Sequence, residues 1–206
     1  MNKAASTGHG DALPVERWQT RVMSAPSLDT TVYLDRLDRV RAAMGEHDVD
    51  AVMLSVGHDL PYLTGYTSMP LERLTLLIVP REGDPSLLIP GLEAARVTAQ
   101  PGVFQLLPWT ETDDPTAIAS TLVAGAHRIA VGDQMWARFL VEMLPHLSGV
   151  EFTRAVDVVG ALRRTKDQAE IDALAAAGAA VDLIAGELQR GEIPLVGRTE
   201  ADVSAH

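Results

Sequence analysis

A chain of 206 residues, 47% of them apolar and 22% charged, has room for one large domain, or one domain and part of another, with a sizeable core. Its net charge of −11 repels phosphate backbones, and no Lys/Arg cluster is interleaved with aromatic residues, which argues against nucleic-acid binding. Zero cysteines exclude disulfides and Cys-based zinc or nucleophilic chemistry, no apolar run reaches membrane-span length, and the opening residues lack a signal-peptide core, so a cytoplasmic protein off the membrane is expected.

Residues 1–28 mix Gly, Ser, Pro and charges and read as a mobile tail. Asp29 or Thr30 can cap a helix whose inner face is Tyr33, Leu37, Val40, Arg41 and Met44. Asp50 to Val56 reads as a buried strand bounded by Gly57, and Pro61 to Tyr66 as a turn or short helix. Leu74 to Val79 is the strongest strand pattern; the turn Arg81 to Pro85 joins it to Ser86–Ile89, which predicts a hairpin. A helix over Leu92–Ala99, a strand over Val103–Leu107, a helix over Pro115–Val123 and a strand over Arg128–Val131 follow. A helix over Met135–Leu147, a strand around Val150–Thr153 and a short helix over Val156–Arg163 complete the series. This alternation with one hairpin defines an α/β class, a mixed sheet flanked by helices.

A second unit begins near residue 164, so the expected domains are 29–163 and 164–206. Asp167 caps a long helix and Glu170 closes its capping box. The apolar stripe Ile171, Leu174, Ala175, Gly178, Val181, Ile184, Ala185 and Leu188 repeats at helical spacing until Gly191 and Pro194 end it. Thr199 and Asp202 open a further helix expected to run past His206. Two helices enclose no core, so the stripe needs an absent domain, the first domain or a second chain, and a homodimer is expected through it.

Motifs for phosphate loops, dinucleotide binding, serine hydrolases and zinc helices are absent, and the six histidines are scattered without a ligand partner at helical spacing. Glu111, Asp113 and Asp114 read as a solvated acidic loop framed by prolines, Asp133 as a helix cap, and Arg163, Arg164 and Lys166 as an interdomain hinge. From the residues alone, the reading stops at an acidic α/β domain.

The segment Leu162-Arg163-Arg164-Thr165-Lys166-Asp167 with Glu170-Ile171, an Ala-rich helix, and Gly197-Arg198-Thr199-Glu200 with Val203 resembles the entry into the pita-bread catalytic domain of Xaa-Pro dipeptidases, the prolidase and aminopeptidase-P-like metallopeptidases. Upstream, Asp50-Ala-Val-Met-Leu and Tyr62-Leu63-Thr64-Gly65-Tyr66 resemble the creatinase/prolidase N-terminal domain of the same enzymes, although His58-Asp59 stand where many relatives have Asn. The resemblance covers residues 33–206. It implies a creatinase/prolidase N-terminal fold followed by the truncated start of an α+β pita-bread domain. It also implies a hydrolase acting on proline-containing dipeptides or short peptides through paired divalent ions (manganese, cobalt or zinc). The family's Asp, His and Glu ligands fall after the position matching Val203, so this chain itself is expected to bind no metal and to be non-catalytic in its 206-residue form. By the same resemblance the N-terminal domain supports dimerisation and limits substrate access, which makes His58, Asp59, Tyr62 and Tyr66 candidate substrate-access residues. Tyr62, Leu63 and Tyr66 read equally as packing at the strand's end, with Gly65 serving a tight turn. A creatinase-like amidinohydrolase and a non-catalytic interaction module remain alternatives.

Overall fold

The computed structural model describes residues 29–98 and 100–205; the expected tail over 1–28 lies outside them. Helix α1 (Thr30–Glu46) leads into β1 (Ala51–Ser55), α2 (Asp59–Thr64), the pair β2 (Leu76–Pro80) and β3 (Ser86–Pro90), and α3 (Gly91–Ala94). Then come β4 (Gln105–Trp109), α4 (Pro115–Leu122), β5 (Arg128–Val131), α5 (Ala137–Met143), β6 (Glu151–Arg154), α6 (Val159–Arg164), α7 (Gln168–Gln189) and α8 (Glu200–Ser204). The strands form one six-stranded sheet in the order β4-β3-β2-β1-β5-β6. β2 is antiparallel to both β1 and β3, while β1–β5, β5–β6 and β3–β4 are parallel. The expected mixed sheet and hairpin are therefore present.

Period-two alternation along the strands builds two cores. Val52 and Leu54 of β1, with Leu77 and Val79 of β2, face Tyr33, Leu37, Val40 and Met44 of α1 and Leu60 and Leu63 of α2. Ala51 and Met53, with Leu76 and Ile78, face Ala119 of α4 and Phe139 and Met143 of α5. Central strands covered on both sides need continuous apolar runs, which is why 51–54 and 76–79 carry no polar residue. Trp109 closes the second core from the end of β4 and donates its indole Nε1–H to the Leu74 carbonyl at 2.9 Å.

Several sequence expectations shift. The buried arginine on α1 is Arg36, not Arg41; Arg41 sits at the margin and donates to the Gly83 carbonyl at 2.6 Å. The helix expected over 92–99 is the single turn of α3, because Val97 tucks against the first core and Gln100 is drawn to the Thr64 carbonyl; Ala99 lies outside the described residues. The helix expected from Met135 starts at Ala137 after a turn in which the Met135 N–H bonds the Gly132 carbonyl, and Pro145 tightens its end into a 3₁₀ turn. The helix expected over 156–163 divides into a 3₁₀ turn, Ala155–Asp157, and α6. α7 carries the expected reciprocal capping box of Asp167 and Glu170. None of its residues is buried: Ile171, Leu174, Val181 and Ile184 are each about half exposed.

Candidate functional site

The segment leaving β1 is shaped by two glycines. A Cβ on Gly57 would overlap the Gln134 side chain, and only glycine lets that amide come close enough for its Oε1 to accept the His58 N–H at 2.8 Å. This bond ties the carboxyl ends of β1 and β5 together and leaves the His58 imidazole exposed at the start of α2. Gly65 ends α2 at φ +70°, where its N–H bonds the Pro61 carbonyl, and a Cβ there would lie 2.5 Å from the Tyr33 hydroxyl. Inside that turn the Thr64 hydroxyl donates to the Leu60 carbonyl and accepts from the Tyr66 N–H.

The four candidates have four different surroundings. His58 faces solvent. Asp59 accepts from Arg163 Nη1 at 2.7 Å, joining α2 to α6. Tyr66 is buried in the same core cluster as Tyr62 and borders a polar cleft of about 320 Å³ with Tyr33, Thr64, Arg96, Thr98 and Gln100. Tyr62 is buried beneath Arg36, whose guanidinium carbon stands 4.1 Å from the ring centroid. Burial pushes the Tyr62 phenol up, opposed by the charges of Arg39 and Arg36, and Arg39 Nη2 donates to its hydroxyl at 3.3 Å.

Arg36 is the residue that sequence reasoning missed. It is 4% exposed, donates Nη1 to the Tyr62 carbonyl at 2.9 Å, and places Nη2 3.2 Å from Asp167 Oδ2 and 3.4 Å from Glu170 Oε1. The signal was available, since Arg36 precedes Leu37 and follows Tyr33 by three positions on the same face, but a charge on a core stripe is ordinarily assigned to its margin. Asp167 thus caps α7 and also holds the first domain. The Glu170 N–H, followed by Arg36, keeps the Asp167 carboxyl below its usual range. Of the basic cluster, Arg163 pairs with Asp59, and Lys166 bonds the Arg163 carbonyl.

The acidic loop is occupied by local structure. Asp114 caps α4 through the Thr116 and Ala117 N–H groups, Asp113 accepts from Thr110, and Glu111 pairs with Arg73 at 2.9 Å. Asp133 is not a helix cap; the cap position of α5 is Trp136, and Asp133 instead binds Arg154 through two hydrogen bonds. Among the described residues no three His, Asp or Glu side chains gather into a metal-holding set. A pair of divalent ions therefore finds no fitting donor set there. No described helix is long and apolar enough to cross a membrane.

A six-stranded mixed sheet in this order, flanked by helices, is consistent with an N-terminal domain of the creatinase and prolidase kind. The chain belongs to the Creatinase/Prolidase N-terminal domain family, whose profile matches residues 36–165. The probable dipeptidase PepE of Mycobacterium tuberculosis is 36% identical over 187 residues, which is 89% of this chain and 49% of that protein. The crystal structure of dipeptidase PepE from Mycobacterium ulcerans superposes with a TM-score of 0.73 at 36% identity, over 86% of this chain and 48% of the other. A recombinant prolidase from Thermococcus sibiricus shares the fold with a TM-score of 0.73 at 23% identity. The chain spans about half the length of the curated relatives it matches.

Proposed function

We propose that this chain forms the N-terminal, dimerising and substrate-access portion of a Xaa-Pro dipeptidase-like metallopeptidase, with a second unit starting near residue 164, and is not catalytic in its 206-residue form. The observation that carries this reading is the 36% identity to dipeptidase PepE, which runs across 89% of this chain but half of the relative. In a longer polypeptide a pair of divalent ions, held by residues other than the described ones, would supply Lewis-acid chemistry, and this portion would supply surface around the entrance. His58 is the exposed candidate for meeting a substrate terminus, Asp59 and Tyr62 brace the α2 segment that carries it, and Tyr66 borders the cleft beside Gly65. The apolar face of α7 supports burial against further protein, and a homodimer of a cytoplasmic enzyme fits that face.

The test is Xaa-Pro dipeptide hydrolysis with added manganese, using the 206-residue chain and a fusion of it to the catalytic half of dipeptidase PepE. The reading expects turnover only from the fusion, with KM for short peptides altered by His58→Ala. Turnover by the 206-residue chain, or a fusion that folds and binds manganese yet leaves Xaa-Pro bonds intact, would overturn it.

A further inference from the structure

A groove of about 530 Å³ opens at the carboxyl ends of β5 and β6, and none of its lining residues belongs to α2 or the Arg36 clasp. Its floor is apolar, formed by Met135, Ala137, Leu140 and Phe152, and its rim carries Asp133 and Arg154. Three observations coincide there. The groove lies at the carboxyl ends of two parallel strands, β5 and β6, the end at which open α/β sheets commonly hold ligands, one strand out from the point where the connections of β1 and β5 diverge. The volume suits a small molecule. The rim is a preorganised pair of opposite charges, with Arg154 Nε 2.9 Å from Asp133 Oδ1 and Nη2 2.5 Å from Oδ2.

That pair keeps binding capacity. A guanidinium has five N–H donors and a carboxylate about four acceptor positions, and the mutual contact engages two of each. No other described side chain bonds Arg154 Nη1. Hydrogen bonding between the partners lowers the Asp133 pKa and raises that of Arg154, so both stay charged around neutrality. A ligand whose ammonium and carboxylate sit on one carbon matches this spacing side by side, its ammonium on a free Asp133 lone pair and its carboxylate on Nη1. Its side chain then falls on the apolar floor. The geometry points to a binding site for a free α-amino acid with an apolar side chain, a zwitterion of the leucine class, at Asp133 and Arg154. The site is separate from the substrate-access role, and its failure would leave that role untouched.

L-leucine titrated into the isotope-labelled 206-residue chain, followed by amide NMR, tests this directly. Saturable shifts are expected at Gly132, Leu140 and Thr153. L-leucinamide, which lacks the carboxylate, N-acetyl-L-leucine, which lacks the ammonium, and glycine, which lacks the side chain, should each bind at least about tenfold more weakly. Arg154→Gln and Asp133→Asn should lose the same factor, and Ala137→Phe, which fills the groove while keeping both charges, should abolish binding with amide dispersion unchanged. The analogue series needs no altered protein, so a misfolded variant cannot rescue the idea. Absence of saturable shifts, shifts centred elsewhere, equal binding of the blocked analogues, or undiminished binding by a folded Ala137→Phe chain would each overturn it.

Discussion

Replacing Arg36 by methionine keeps an apolar stem on α1 but removes the guanidinium that joins Tyr62 to Asp167 and Glu170. The Tyr62 carbonyl then loses its charged donor at 2.9 Å, and an unsatisfied buried acceptor costs about 1–3 kcal/mol. The lost guanidinium–ring contact at 4.1 Å adds about 0.5–1 kcal/mol. Asp167 and Glu170 side chains are 40% and 25% exposed, so water takes over from Arg36 and each pair contributes at most about 1 kcal/mol. The sum is a loss of about 1.5–6 kcal/mol, a large share of the roughly 5–15 kcal/mol of a whole domain. Urea unfolding at unchanged m-value measures it, and hydrogen exchange should rise in the first turn of α7, because Asp167 is then held only by its own capping box. Arg36→Lys, with no fork to reach Tyr62 and Asp167 together, should fall between. A loss under about 1 kcal/mol with undisturbed exchange at residues 168–172 would refute the clasp.

Gly65→Ala places a Cβ 2.5 Å from the Tyr33 hydroxyl at φ +70° and should cost about 1–3 kcal/mol by thermal or urea unfolding; a neutral result would mean the α2 turn is free to relax. Trp109→Phe removes the 2.9 Å bond to the Leu74 carbonyl and should destabilise by about 1–3 kcal/mol, with the loss read from the urea midpoint. The Asp50 carboxyl accepts the His127 and Arg128 N–H groups at 2.8 and 3.1 Å, which lowers its pKa. Its stabilising contribution is therefore complete above the unfolded pKa of about 3.9 and fades as pH falls through the lower folded value. Asp50→Asn should reduce stability near neutrality, and the gap from the unaltered chain should close as the solution is acidified below about pH 4; a constant gap would contradict the assignment. Asp114→Ala should cost about 1 kcal/mol, because the cap bonds to Thr116 and Ala117 vanish.

Elements with strong local signals were legible in the sequence. Strand Arg128–Val131 matches residue for residue, and both capping boxes, at Asp167 and Thr199, are formed as read. Misreadings arose where a distant contact decides the outcome. The helix over 92–99 is cut short by the Gln100 bond to Thr64, 36 residues away in sequence, which no local pattern announces. Asp133 has the position of a cap but is claimed by Arg154, on a strand formed later in the chain. Of the site, the Tyr62–Tyr66 segment was visible as glycine and aromatic spacing, whereas the roles of its members depend on Arg36, Arg163 and Gln134, partners supplied by other elements.

The doubly covered central strands leave a question of alignment. Sliding β1 by one residue would exchange Val52 and Leu54 for Ala51 and Met53, one greasy set for another, so burial alone tells the sheet little about where to stop. Polar pins at the strand ends supply the missing instruction. The Ser55 hydroxyl reaches the Thr75 carbonyl at 3.1 Å, Arg81 Nε reaches the Val49 carbonyl at 2.8 Å, and Asp50 grips the first amides of β5. Each pin fits a single offset, so a few solvent-touching residues at the margins choose among alignments that the interior would accept alike.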